Sequence, residues 1–148
     1  MGKFKKLVGI GVMIAGLSVS GTALADTSEK AVFLGDDGNV QSEDIGASGA
    51  GTLVHFVTNA QLTGGKVSAY GKTSCSKTCK DLRVSNIIYR SNKPVSTKTG
   101  MKTNNISVMA YADPVAYKTG YTYYSASDHF AVNYYGKGVS DRTIDDDL

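Results

Sequence analysis

The chain has 148 residues, with 16 basic against 13 acidic side chains, nine tyrosines and no tryptophan. That length is one domain by ordinary size expectations. The basic excess lies in the first residues: without Lys3, Lys5 and Lys6 the bases and acids balance, so the charge makes no case for a nucleic-acid binder.

Residues 1–25 read as a signal peptide. Lys3, Lys5 and Lys6 form a basic n-region, residues 7–19 an apolar h-region, and Ala23-Leu24-Ala25 an A-x-A cleavage site. The alternative is a retained N-terminal anchor, but the apolar run is short for a membrane span and holds Gly9, Gly11 and Gly16. No cysteine follows the cleavage site, so no lipoprotein anchor is indicated. The expected mature chain starts at Asp26, is secreted, and has no transmembrane segment. Its formal charge is zero but unevenly spread: −5 over residues 26–65, +8 over 66–137 and −3 over 138–148. Such a basic middle can pack against the acidic ends, or offer a face to an anionic surface.

Residues 26–140 predict a single β-rich domain. Ala31-Val32-Phe33-Leu34 is a short apolar run stopped by the turn signal Gly35-Asp36-Asp37-Gly38-Asn39. Residues 40–51 have little to bury and read as a loop. Residues 52–58 alternate as a strand, with Leu53, His55 and Val57 on one side and Val54 and Phe56 on the other. Both sides are mostly apolar, which predicts a central strand with His55 packed. After Gly64-Gly65, residues 66–71 form a strand, and residues 81–90 another with Leu82, Val84 and Ile88 on one face. Residues 91–99 contain Pro94 and read as a turn or edge segment. Ile106, Val108, Ala110 and Ala112 mark a further strand, ended by Asp113-Pro114. Residues 121–135 are the longest strand-like run and hold five of the nine tyrosines. Residues 141–148, ending Asp145-Asp146-Asp147-Leu148, predict an acidic, solvated tail.

No segment keeps a 3.6-residue apolar period over three turns. Short strands separated by Gly, Asn, Asp and Pro clusters predict an all-β fold, a small antiparallel β-sandwich or barrel. Cys75 and Cys79 are the only cysteines, and in an exported chain they predict one short-loop disulfide. Three residues between them do not match a two-residue redox spacing, and two cysteines fall short of a four-ligand zinc site.

Candidate chemistry centres on His129, beside Asp128 and near Ser125 and Ser127. Strand alternation sends Asp128 and His129 to opposite faces, so a triad needs a bulge. No nucleophile-elbow pattern, phosphate-cradling glycine loop or calcium-loop spacing is present. Nothing calls for a metal or cofactor. On an ideal strand Tyr121, Tyr123 and His129 share a face, and Phe130 and Val132 take the more apolar opposite face. That arrangement makes Tyr121, Tyr123 and His129 a candidate exposed binding strip, unless the tyrosines only reflect β preference.

Tyr134-Tyr135-Gly136-Lys137-Gly138-Val139 resembles the Tyr-Gly-Asn-Gly-Val box of pediocin-like bacteriocins, with Lys137 in the asparagine's place. In that family the box is N-terminal and a cysteine pair follows closely. Here it is near the C-terminus, the cysteines precede it, and Ser140 stands where a cysteine is expected, so no residue role carries over. In layout, with its leader, single Cys pair and strand-rich body, the chain is similar to small secreted β-proteins of Gram-positive bacteria. The expectation is a secreted, non-enzymatic β-domain binding an anionic cell-envelope component or an extracellular protein. The alternative is a bacteriocin-like or toxin-like antimicrobial protein.

Overall fold

The computed structural model describes residues 28–35, 40–42, 51–146 and 148. The expected leader, the centre of the turn at 35–39 and most of the loop at 40–51 lie outside the described residues. Seven strands follow in order: β1 (Ser28–Gly35), β2 (Val40–Ser42), β3 (Gly51–Thr63), β4 (Lys66–Arg90), β5 (Lys93–Ala116), β6 (Tyr123–Val132) and β7 (Gly138–Asp145). They form one antiparallel sheet in the order β2-β1-β3-β4-β6-β7, with β5 along the other edge of β4. The sheet curls into a nearly closed barrel.

The long β4–β5 hairpin is the frame. Residues 66–75 of β4 pair with β3, and residues 81–90 pair with β6. Between these halves the β4–β5 register shifts from Ser74 to Cys79, and the hairpin turns a corner there. The Cys75–Cys79 disulfide spans the corner, and Asn104, at φ 49°, bends β5 opposite it. Ser76 at the corner accepts the Leu53 N–H on β3 at 2.9 Å.

Both ends of β4 come together at the opposite, open end of the barrel. Tyr117 N–H donates to Gly65 O and Ser91 N–H to Thr122 O, each at 2.9 Å. Gly64-Gly65, with φ of 58° and 72°, makes the β3–β4 turn in the left-handed region that glycine enters freely. Two apolar layers fill the inside. Leu34, Val54, Phe56, Leu82, Val84 and Val108 lie with the disulfide towards the corner. Val67, Ala69, Ile88, Ala112 and Tyr123 fill the open end. At mid-height the walls approach closely, because a Cβ on Gly71 would collide with Ser127 and Val84 across the barrel.

Five expectations change. Residues 66–90 are one continuous strand through the cysteines, and residues 93–116 are one edge strand that keeps both Pro94 and Pro114. An edge tolerates proline because its outer N–H groups have no ladder partner. Val40–Ser42, expected in a loop, pairs with β1 as β2. Residues 141–145, expected in a solvated tail, belong to β7, with Thr143 and Asp145 buried. His55 is exposed rather than packed: it lies on the outer face of β3, while Val54 and Phe56 point inward.

Candidate functional site

Strand alternation holds along β6, but the face expected to be exposed is the buried one. Tyr123, Ser125, Ser127, His129 and Ala131 point into the barrel, with Tyr123 5 % and His129 2 % exposed. Phe130 and Val132, expected inside, are half-buried on the outside. The exposed strip of Tyr121, Tyr123 and His129 therefore does not form. Tyr121 alone of the three is open to solvent, at 50 %. The reason is local supply: the opposing strands carry hydroxyls and amides that satisfy the polar side chains of β6 without water.

His129 is the hub of that supply. Its Nδ1 is 2.9 Å from Thr73 Oγ1 on β4, and its Nε2 is 2.7 Å from Thr143 Oγ1 on β7. Thr73 gives its single hydroxyl hydrogen to Arg83 O at 3.1 Å. Its oxygen must then accept from His129, which places the imidazole hydrogen on Nδ1. In the neutral ring Nε2 accepts from Thr143, and Thr143 Oγ1 in turn accepts from Thr58, at 2.5 Å. One directed chain of hydrogen bonds thus runs from Thr58 through Thr143 and His129 to Thr73 and the Arg83 carbonyl. Phe56 stacks on the ring with centroids 5.0 Å apart. Burial pushes the His129 pKa down to about 4 against the smaller opposing pull of Asp128 and Asp141, so the ring is neutral at neutral pH.

A second buried group lies lower in the barrel. Asn86 Nδ2 donates to Ser125 Oγ and Ser127 Oγ, both at 2.9 Å, and Ser125 donates on to Ile87 O. Asn86 Oδ1 has no hydrogen-bond partner among the described residues. Asp145 Oδ2 on β7 accepts the Ala60 N–H of β3 at 2.8 Å. Together with Thr58 and Thr143, this contact ties β7 to β3 through side chains. Lys30 on β1 pairs with Asp141 and spans the same seam.

This constellation does not read as a nucleophile and base. Ser127 is engaged by Asn86, both ring nitrogens of His129 face threonine hydroxyls, and Asp128 is on the outer face with Arg142. Among the described residues no group of three or more His, Cys, Asp or Glu could hold a metal ion. No protein-family model, curated protein or solved structure matches the chain.

The outer faces carry the features that strand alternation alone could not assemble. In the β4–β6 ladder Arg83 pairs with Phe130, Ser85 with Asp128, Ile87 with Ala126 and Tyr89 with Tyr124. Tyr89 and Tyr124 stack almost parallel, with centroids 4.6 Å apart and planes at 6°. Arg83 lies over the Phe130 ring at 5.3 Å, while at the open rim, off this face, Arg90 pairs with inward Tyr123 and lies over Tyr121 at the same distance. Arg142 and exposed Ile144 extend this face onto β7. Tyr123 closes the open end: its hydroxyl accepts from Lys118 N–H at 3.0 Å and its ring leans on Tyr117. Of the bacteriocin-like box, Tyr134 to Lys137 form the β6–β7 turn, organised by Asn133 Oδ1 accepting the Tyr135 and Lys137 N–H groups.

Proposed function

We propose that the chain is an exported, non-enzymatic β-domain that binds an anionic cell-envelope component or an extracellular protein through the outer face of β4, β6 and β7. The carrying observation is the Arg83–Phe130 pair and the stacked Tyr89–Tyr124 pair along that face. Rings held by stacking lose little freedom on binding, and arginine and tyrosine are the side chains that most often anchor interfaces. The disulfide accords with an oxidising compartment. The leader expected over residues 1–25 accords with export.

The test is retention of the purified protein on isolated cell walls at low salt. Retention weakened by high salt and by Phe130→Ala or Tyr124→Ala supports the reading, since both rings lie on that outer face. Tyr123→Ala is not a useful probe, because Tyr123 plugs the barrel end. Absence of retention at low salt, together with no captured extracellular protein, overturns the reading.

A further inference from the structure

Three segments meet at the corner end of the barrel: the disulfide loop of β4, the bend of β5 and the β6–β7 turn. Cys79 pairs with Asn105, and Asp81 pairs with both Thr103 and Val132. Tyr134 Oη donates to Asn104 Oδ1 at 3.0 Å, locking the turn onto the bend. Ile106, Tyr134 and Tyr135 project from this end, 57 %, 58 % and 65 % exposed. Lys80, Lys102 and Lys137 belong to the same three segments, and Lys77 sits within the disulfide loop; all four are exposed. The sole described acid in these segments is Asp81, already engaged by Arg83 at 2.6 Å.

We propose that this corner end is a docking surface for an anionic lipid membrane, separate from the outer face of β4, β6 and β7. Each lysine near an anionic bilayer adds attraction that salt screens. Tyrosine suits the headgroup level, where the ring meets the acyl boundary and the hydroxyl stays wet. Ile106 decides between the two anionic partners available outside a cell. A hydrated wall polymer offers no apolar phase to receive it, whereas a bilayer interface does. The disulfide and the Tyr134–Asn104 bond hold the three segments in place before contact, so little ordering is lost on binding.

The test uses the full protein and two kinds of vesicle, one containing phosphatidylglycerol and one of pure phosphatidylcholine. Co-sedimentation is expected with the first and not with the second. Lys80→Ala with Lys102→Ala should lower partitioning by about 25-fold, from ~5-fold per lysine. Lys66→Ala with Lys93→Ala, at the opposite end, should leave it unchanged, with matched thermal unfolding for both pairs. Because the chain has no tryptophan, Tyr135→Trp is a clean reporter, and its emission should shift to the blue on the anionic vesicles. The proposal is overturned by any of three results: no preference for the anionic vesicles, equal losses from both lysine pairs, or sedimentation with an unshifted Trp emission. Retention on cell walls is scored separately, so failure there leaves this result readable; no binding to vesicles, with wall retention that is lost in the Lys80→Ala, Lys102→Ala pair, overturns the proposal and assigns the corner to a wall polymer instead.

Discussion

The two faces of β6 differ in a way that runs against their composition. The inner face is Tyr123, Ser125, Ser127, His129 and Ala131, mostly polar, and it is buried. The outer face carries Tyr124, Phe130 and Val132, all half-buried, with exposed Asp128 and only the small Ala126 buried. Burial here follows from partners rather than from hydropathy. A polar side chain sits inside at little net cost when every hydrogen is placed, and the Thr58–Thr143–His129–Thr73 chain places them all. An apolar ring stays outside when a neighbour covers one side of it, as Arg83 covers Phe130 and Tyr89 covers Tyr124.

The strongest way to break this comparison is His129→Ala. It removes a ring stacked on Phe56 and leaves the Thr73 and Thr143 hydroxyls each without one partner. The expected loss is about 3–4 kcal/mol, from the void and the unpaired hydroxyls together. Urea denaturation measures it, and a loss under about 1 kcal/mol would mean that the inner network contributes little.

These magnitudes explain which parts were legible in the sequence. Residues 52–58 and 81–90 were readable as strands because Val54, Phe56, Leu82, Val84 and Ile88 repeat every second position and all face the core. The cysteine pair was readable from its count alone. The barrel corner was not, because Cys-Ser-Lys-Thr-Cys has the composition of a loop and only the register shift shows the strand continuing. Nor was β5: Pro94, Asn104 and Pro114 all look like breaks, yet an edge strand accommodates each. His55 was misplaced because its neighbours Leu53 and Val57 are apolar, although all three lie outside. The face of β6 was reversed because hydropathy counts side chains singly. Thr73 and Thr143, which make His129 an inner residue, are 56 and 14 positions away. The acidic strand β7 was hidden for the same reason, since the Ala60 N–H that Asp145 accepts inside the barrel lies 85 positions away.

A milder challenge leaves the sequence intact and changes pH. The folded pKa of His129, about 4, lies below the ~6.5 of an unfolded-chain histidine. Between those values the unfolded chain takes up the proton and the folded chain does not. The stability linked to this residue is therefore fully present above pH ~6.5, is lost as pH falls towards 4, and amounts to about 3 kcal/mol at most. Asp128 and Asp141 act lower on the scale. Arg142 holds the Asp128 carboxyl below its usual value, and Lys30 and the Arg142 N–H hold Asp141 down against the opposing effect of burial. Their contributions are present above the ordinary carboxylate range and fade only below it. His129→Gln, which keeps hydrogen-bonding atoms but cannot titrate, should flatten the denaturation midpoint between about pH 6.5 and 4. A wild-type slope in that variant would assign the pH dependence to another group.

The gentlest probe addresses the outer face. Asp128 and Arg142 stand opposite each other in the β6–β7 ladder and meet in two hydrogen bonds, at 2.6 and 2.8 Å. Both side chains are about half exposed, at 49 % and 50 %, so water and salt already screen most of their attraction. Asp128→Ala should cost about 0.5–1 kcal/mol, and added salt should shrink that loss further. One residue away, His129→Ala removes a neutral group yet is expected to cost several times more. The contrast is informative because the two positions are neighbours on one strand and occupy opposite faces. If thermal or urea unfolding gave equal losses for Asp128→Ala and His129→Ala, the inner and outer faces of β6 would be energetically equivalent. The hydrogen-bond chain through His129 would then be a consequence of the fold rather than one of the things that hold it closed.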